Sequence, residues 1–132
     1  MDTRTIRQTV TFRASTNQIY EALLDPGKHA EFTGEKASID AKVGGRFSCY
    51  DGYITGVTVE LVPNQRIVQA WRSSDWTPGT YSIVTFDLKA SGRVNARLTF
   101  TQVGVPAGDY DEKVSGWKTH YWKPLQAMLE KR

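Results

Sequence analysis

The residues best able to do chemistry in this chain are few and far apart. Histidines stand at 29 and 120, the single cysteine at 49, and acidic residues at 51 and 60 inside a block of strand-like sequence. Neither His29 nor His120 has a Ser or Cys at a spacing that marks a nucleophile and its base, although such an arrangement is spatial and needs no sequence spacing. Two histidines and one cysteine this far apart form no zinc pattern. Gly44-Gly45-Arg46 lacks the Lys-Ser/Thr ending of a phosphate loop. Asp51 is explained by an Asp-Gly turn. Glu60 alternates with Val59 and Leu61 and is expected to face water, so a pair of catalytic carboxylates has little support. Cys49, two residues from Phe47, is expected to point to the same side of a strand as a buried, inert thiol. No catalytic residue, metal ligand or cofactor is assigned.

The aromatic residues are the richer signal. Four Trp, six Tyr and five Phe occur in 132 residues, and such side chains dominate both cores and ligand pockets. Trp117, Tyr121 and Trp122 lie on the last helix-like segment. Tyr121 carries a hydroxyl that needs a partner when buried. Trp117 follows Gly116, which would let it pack closely as core. Trp71 and Trp76 flank a looser stretch, and Trp76 is a candidate exposed anchor for a partner protein.

The elements that must position these side chains follow from pattern. Thr3 to Arg13 alternates and is rich in β-branched residues, which predicts a strand. Ser15 and Gln18 have capping-box spacing ahead of Ile19, Tyr20, Leu23 and Leu24. Asp25-Pro26-Gly27 ends that short helix, and Asp25 with Pro26 starts a second one carrying His29 and Phe32, closed by Gly34. Strands are predicted at Lys36–Asp40, Arg46–Tyr50, Tyr53–Val62, Arg66–Arg72, Tyr81–Leu88 and Arg93–Gln102. They are separated by Gly-Gly, Asp-Gly, Pro-Asn and Ser-Gly turns, the pattern of an antiparallel meander. Asp109 and Glu112 repeat the capping-box spacing before a long helix whose stripe runs Val114, Trp117, Tyr121, Leu125 and Met128. Pro124 removes the bond to the His120 carbonyl and is expected to bend that helix. The fold class is therefore α+β: a curved antiparallel sheet of about six to seven strands, two short helices after the first strand, and a long C-terminal helix across the concave face.

Length and composition agree with one domain spanning residues 1–132. The formal charge of +3 is mild and dispersed, which argues against nucleic acid. The first ten residues lack the apolar stretch of a signal peptide, and no run is long enough to cross a bilayer. With one cysteine and no internal disulfide, cytoplasmic residence is expected. Oligomeric state is not encoded in these patterns.

Several phrases together resemble a known family: Phe12-Arg13-Ala14-Ser15, Val43-Gly44-Gly45-Arg46-Phe47, Asp51-Gly52-Tyr53-Ile54-Thr55-Gly56, Glu60-Leu61-Val62-Pro63, Arg66-Ile67-Val68 with Trp71-Arg72, Gly104-Val105-Pro106 and Gly116-Trp117. The chain resembles the C-terminal domain of the heat shock protein 90 ATPase activator, of the START-like (SRPBCC, helix-grip) superfamily. That superfamily also holds lipid-transfer domains, pollen allergens and polyketide cyclases. The resemblance implies a helix-grip fold with a pocket between sheet and terminal helix, and no universal catalytic residue. The first expectation is a non-enzymatic domain that binds a small apolar or amphipathic molecule through Phe32, Phe47, Trp71, Tyr81, Trp117 and Tyr121. Phe32 stands where helix-grip proteins close the cavity mouth, as a gate or as a plug. A second is a co-chaperone-like protein that binds a heat shock 90 class chaperone, with a role in stress response. A third, a cyclase-like or hydrolase-like enzyme, needs His29, Tyr121 and Asp51 to converge.

Overall fold

In the computed structural model, which describes residues 2–131, seven antiparallel strands form one sheet. They are β1 (Thr3–Phe12), β2 (Ser38–Ile39), β3 (Arg46–Cys49), β4 (Ile54–Val62), β5 (Arg66–Ser73), β6 (Ser82–Ser91) and β7 (Asn95–Pro106). Their spatial order is β1-β7-β6-β5-β4-β3-β2. Strands β2 to β7 are thus a meander, and β1 docks on the far side of β7. The helices α1 (Thr16–Leu24) and α2 (Pro26–Thr33) connect β1 to β2. The chain closes with α3 (Tyr110–Gly116), a π-helical turn (Trp117–Trp122) and α4 (Lys123–Glu130), preceded by a 3-10 turn (Ala107–Asp109). The expected helix-grip architecture is the one observed.

Local signals set most of these boundaries. Ser15 and Gln18 form the reciprocal capping box at the start of α1. The Asp25 carboxylate accepts from the Lys28 N–H at the start of α2, and Gly34 ends that helix in the left-handed region. The β3–β4 turn is wider than the two-residue Asp-Gly hairpin expected. Cys49 pairs with Ile54, and Tyr50, Asp51 and Gly52 all have positive φ. Asp109 and Glu112 do not form a second capping box, because α3 has no side-chain cap. The Asp109 carboxylate instead accepts from Trp76 Nε1 at 2.7 Å and meets Lys113 Nζ at 2.9 Å. Trp76 is buried, with its ring centroid 5.6 Å from that of Trp71, which corrects the expectation of an exposed anchor.

The π turn accounts for the last helix. Pro124 has no N–H to give the His120 carbonyl. The chain widens by one residue just before it, and the Lys123 N–H reaches Lys118 O. The freed His120 carbonyl accepts from the Tyr50 hydroxyl at 2.6 Å. Because a π turn brings residues five apart into near alignment, Trp117 stacks on Trp122, with ring centroids 5.5 Å apart. Tyr121 contacts both, at 4.7 and 5.5 Å.

The concave face is filled unevenly. Toward β1, β7 and β6, Phe12, Phe86, Leu98 and Phe100 pack with Trp122, Leu125 and Leu129 into a closed core. Toward β3, β4 and β5 the sheet curves away from the helix, and space remains. Among the described residues no helix is long and apolar enough to cross a membrane.

Candidate functional site

The space between the sheet and the terminal helix is a cavity of about 640 Å³. Its floor is Phe47, Cys49, Ile54, Gln69 and Trp71 from β3, β4 and β5. Its roof is Gly116, Trp117, His120 and Tyr121, and Leu23, His29 and Thr33 close it from α1 and α2. The floor owes its depth to Gly56, which pairs with Phe47 on one side and Trp71 on the other. Directly opposed residues share a face. A Cβ at position 56 would lie 2.5 Å from Phe47 Cζ and 2.0 Å from the Ala70 carbonyl oxygen. Only glycine lets the Phe47 ring lie across β4.

The expected ligand residues do not all fall together. Phe47, Trp71, Trp117 and Tyr121 line the cavity. Phe32 is buried behind it, packed on His29 and Tyr121 with centroids 4.9 and 5.2 Å away. Tyr81 is 49% exposed and borders a separate recess with Arg46, Thr55 and Val57. It precedes β6 and stands on the opposite side of the sheet from the cavity floor. Trp117 both fills and lines. Its ring packs on Phe100 at 4.3 Å and Phe86 at 6.1 Å while it also borders the cavity. Gly116 is not there for close approach, since a Cβ would meet nothing within 4 Å.

A buried polar chain fixes the two tryptophans. Trp117 Nε1 donates to Gln102 Oε1 at 2.8 Å, Gln102 Nε2 to Ser82 Oγ at 2.9 Å, and Ser82 Oγ to the Trp71 carbonyl at 2.9 Å. Every link is buried, so the Trp117 indole is held in one orientation, and the Trp71 ring packs against it and against Trp76, with centroids 5.6 Å away in each case.

The second polar feature lies at the α2 end. His29 is 1% exposed. Its Nε2 meets the Tyr121 hydroxyl and lies 3.7 Å from Cys49 Sγ. Burial pulls the imidazole down to about 4 and pushes the Cys49 thiol up to about 12. The same desolvation raises the Tyr50 and Tyr121 phenols. All four groups are therefore neutral at neutral pH. At the rim, burial lowers the Lys113 ammonium, but bonds to Asp109 and Tyr53 outweigh it and hold the pKa above the usual value. Asp51 sits in the exposed β3–β4 turn and does not line the cavity, so the convergence of His29, Tyr121 and Asp51 does not occur. Among the described residues, no group of three or more His, Cys, Asp or Glu is placed to hold a metal.

Sequence reasoning brought His29 to the cavity only in the enzyme reading and passed over Cys49, Tyr50, Ile54 and Gln69 as lining residues. Strand parity put Cys49 on the Phe47 side, as inert packing, and the same parity counted from Trp71 would have found Gln69. A glycine inside β4 is itself a sign of close approach. The approach of His29 to Tyr121, 92 residues later, has no sequence signal.

Comparison with known proteins adds the lineage. The family model described as "Activator of Hsp90 ATPase homolog 1-like protein" matches residues 13–130. An activator of 90 kDa heat shock protein ATPase homolog from Dictyostelium discoideum is 31% identical over 116 residues, covering 88% of this chain and 30% of the relative. Its human counterpart, homolog 1, is 27% identical over 117 residues, covering 88% and 34%. The chain thus spans about a third of the length of these relatives. An Hsp90 activator from Plasmodium falciparum superposes with a TM-score of 0.91 at 25% identity, with 96% of both chains covered. The Aha1 dimer from Colwellia psychrerythraea shares the fold, with a TM-score of 0.82 at 18% identity and 96% of both chains covered. On a match that runs from the end of β1 to the end of α4, this chain belongs to the family of Activator of Hsp90 ATPase homolog 1-like proteins.

Proposed function

We propose that this START-like domain binds a small, largely apolar molecule in the cavity between the sheet and the terminal helix. The observation that carries the reading is the cavity itself. At about 640 Å³ it falls within the roughly 300–1,000 Å³ of small-molecule sites, and aromatic walls with a few convergent polar groups are their usual chemistry. Trp117 is held in place by a buried hydrogen bond and Trp71 by packing against it, so little ordering would be needed on binding. Transfer of apolar ligand surface supplies the drive, at roughly 25 cal/mol per Å². The test is a thermal-shift and native mass spectrometry panel of sterols, lipids and aromatic polyketides. At least one class is expected to raise the unfolding temperature, since ligand at 100 times its Kd adds about 2.7 kcal/mol. No shift and no retained ligand across the whole panel would refute the reading.

A second reading is favoured by the family match: a co-chaperone-like domain that docks on a heat shock 90 class chaperone. The relatives named as ATPase activators support it, while the chain corresponds to only a third of their length. Saturating domain is expected to co-purify with the chaperone and change its ATPase rate; an unchanged rate with no capture removes this reading. The co-chaperone reading places the domain in the cytoplasm, where Cys49 stays a free thiol.

A further inference from the structure

We propose that Tyr121 selects the occupant of the cavity by donating a hydrogen bond to an uncharged carbonyl-type acceptor on an otherwise apolar molecule, with His29 as the residue that positions the phenol. This rests on the cavity-binding reading above.

The argument follows the protons. His29 uses Nε2 toward the Tyr121 hydroxyl, while its buried Nδ1 has no hydrogen-bond partner. One of two tautomers must hold. With the proton on Nδ1, a buried N–H is orphaned. With the proton on Nε2, only a lone pair is orphaned at Nδ1. Orphaned buried N–H groups are the rarer and costlier case. The hydrogen-bond pattern therefore puts the proton on Nε2, where it is donated to the Tyr121 oxygen. The phenolic proton of Tyr121 is then not used by the imidazole. The Tyr121 hydroxyl has no other hydrogen-bond partner among the described residues, and Tyr121 lines the cavity.

The neighbouring groups narrow the ligand further. Tyr50, the other phenol at this end, spends its proton on the His120 carbonyl at 2.6 Å. The one Lys or Arg among the described lining residues is Lys113, already paired with Asp109 at 2.9 Å. Glu35 and Glu112 also line the cavity. An anionic head group would meet two carboxylates and no unpaired Lys or Arg among the described lining residues, in a space where burial disfavours charge. A hydrocarbon would leave the Tyr121 donor dry and unpaired. A ketone, ester or amide carbonyl meets the donor and brings no charge.

The experiment uses the intact domain and three matched fluorescent probes on the 2-dimethylaminonaphthalene frame: the 6-propionyl ketone, the 6-propyl analogue in which a hydrocarbon chain replaces the ketone (the hydrocarbon probe), and the 6-carboxylate. The ketone is expected to bind about tenfold more tightly than the hydrocarbon, one net hydrogen bond. In Tyr121→Phe the two are expected to agree within about twofold, with hydrocarbon affinity retained as the check that the cavity is intact. In His29→Leu the hydrocarbon still binds and the ketone preference falls toward that of Tyr121→Phe. Equal affinities in the unsubstituted protein, a ratio that survives Tyr121→Phe, or tightest binding of the carboxylate each overturns the inference while leaving cavity binding intact. If neither the ketone nor the hydrocarbon probe binds and the whole panel above fails as well, the cavity reading falls and this one with it.

Discussion

Replacing Gly56 by Ala tests how the cavity is built. Gly56 has ordinary strand backbone, so the added methyl group acts by space alone. Its Cβ would sit 2.0 Å from the Ala70 carbonyl oxygen and 2.5 and 2.7 Å from Phe47 Cζ and Cε2. A carbon beside a carbonyl oxygen needs about 3.3 Å, so β4 and β5 must part by about 1 Å or the Phe47 ring must leave its place. Overpacking of this kind costs about 1–3 kcal/mol, and here a strand backbone is among the groups that must move. At about 3 kcal/mol, and with the unfolding entropy of a chain this long, the melting temperature should fall by about 10 °C. That is a large part of a total stability of roughly 5–15 kcal/mol. Gly116→Ala is the control of opposite sign. It stands in helical backbone with nothing within 4 Å of the new methyl group, and should stabilise by about 0.5–1 kcal/mol. Thermal melts followed by circular dichroism read both variants, and hydrocarbon-probe affinity reads the cavity. If Gly56→Ala melts with the parent protein and binds the probe unchanged, the steric account of the cavity floor is wrong.

The remaining expectations can be measured on the same protein. The His29 pKa is lowered from 6.5 to about 4, so the unfolded chain binds the extra proton between those values. Stability from this group is full above pH 6.5 and is lost as pH falls toward 4, by about 3 kcal/mol; urea midpoints at pH 7 and 4.5 should show it, and His29→Gln should flatten the slope. Asp109→Ala strips the partner from Lys113 and from Trp76 Nε1 and should cost about 3 kcal/mol in urea melts, whereas Asp109→Asn with Lys113→Met should cost much less. Tyr50→Phe removes the bond to the His120 carbonyl, which water can replace, so a loss of only about 0.5–1 kcal/mol is expected. Cys49, with its pKa pushed up to about 12, should resist thiol reagents at pH 8 until the protein unfolds.

The sequence by itself determined the elements and their order. Capping at Ser15 and Asp25, turn residues at Gly34 and Gly52, and period-two alternation in the strands are local interactions, and local interactions are written within a few residues. The strand meander and the aromatic stripe of the last helix were legible for the same reason, and so were Phe47, Trp71, Trp117 and Tyr121 as inward-facing side chains. The tertiary structure alone decided where the hollow lies, because that depends on how far the curved sheet stands from the helix. It also decided that Tyr81 faces away from the cavity, that Trp76 is tied down by Asp109, and that Pro124 leads to a π turn capped by Tyr50. Above all it brought His29 from the second helix to Tyr121 on the last, 92 residues apart in sequence. Such a pair leaves no periodic trace, because its proximity comes from closing the fold and not from any repeat along the chain.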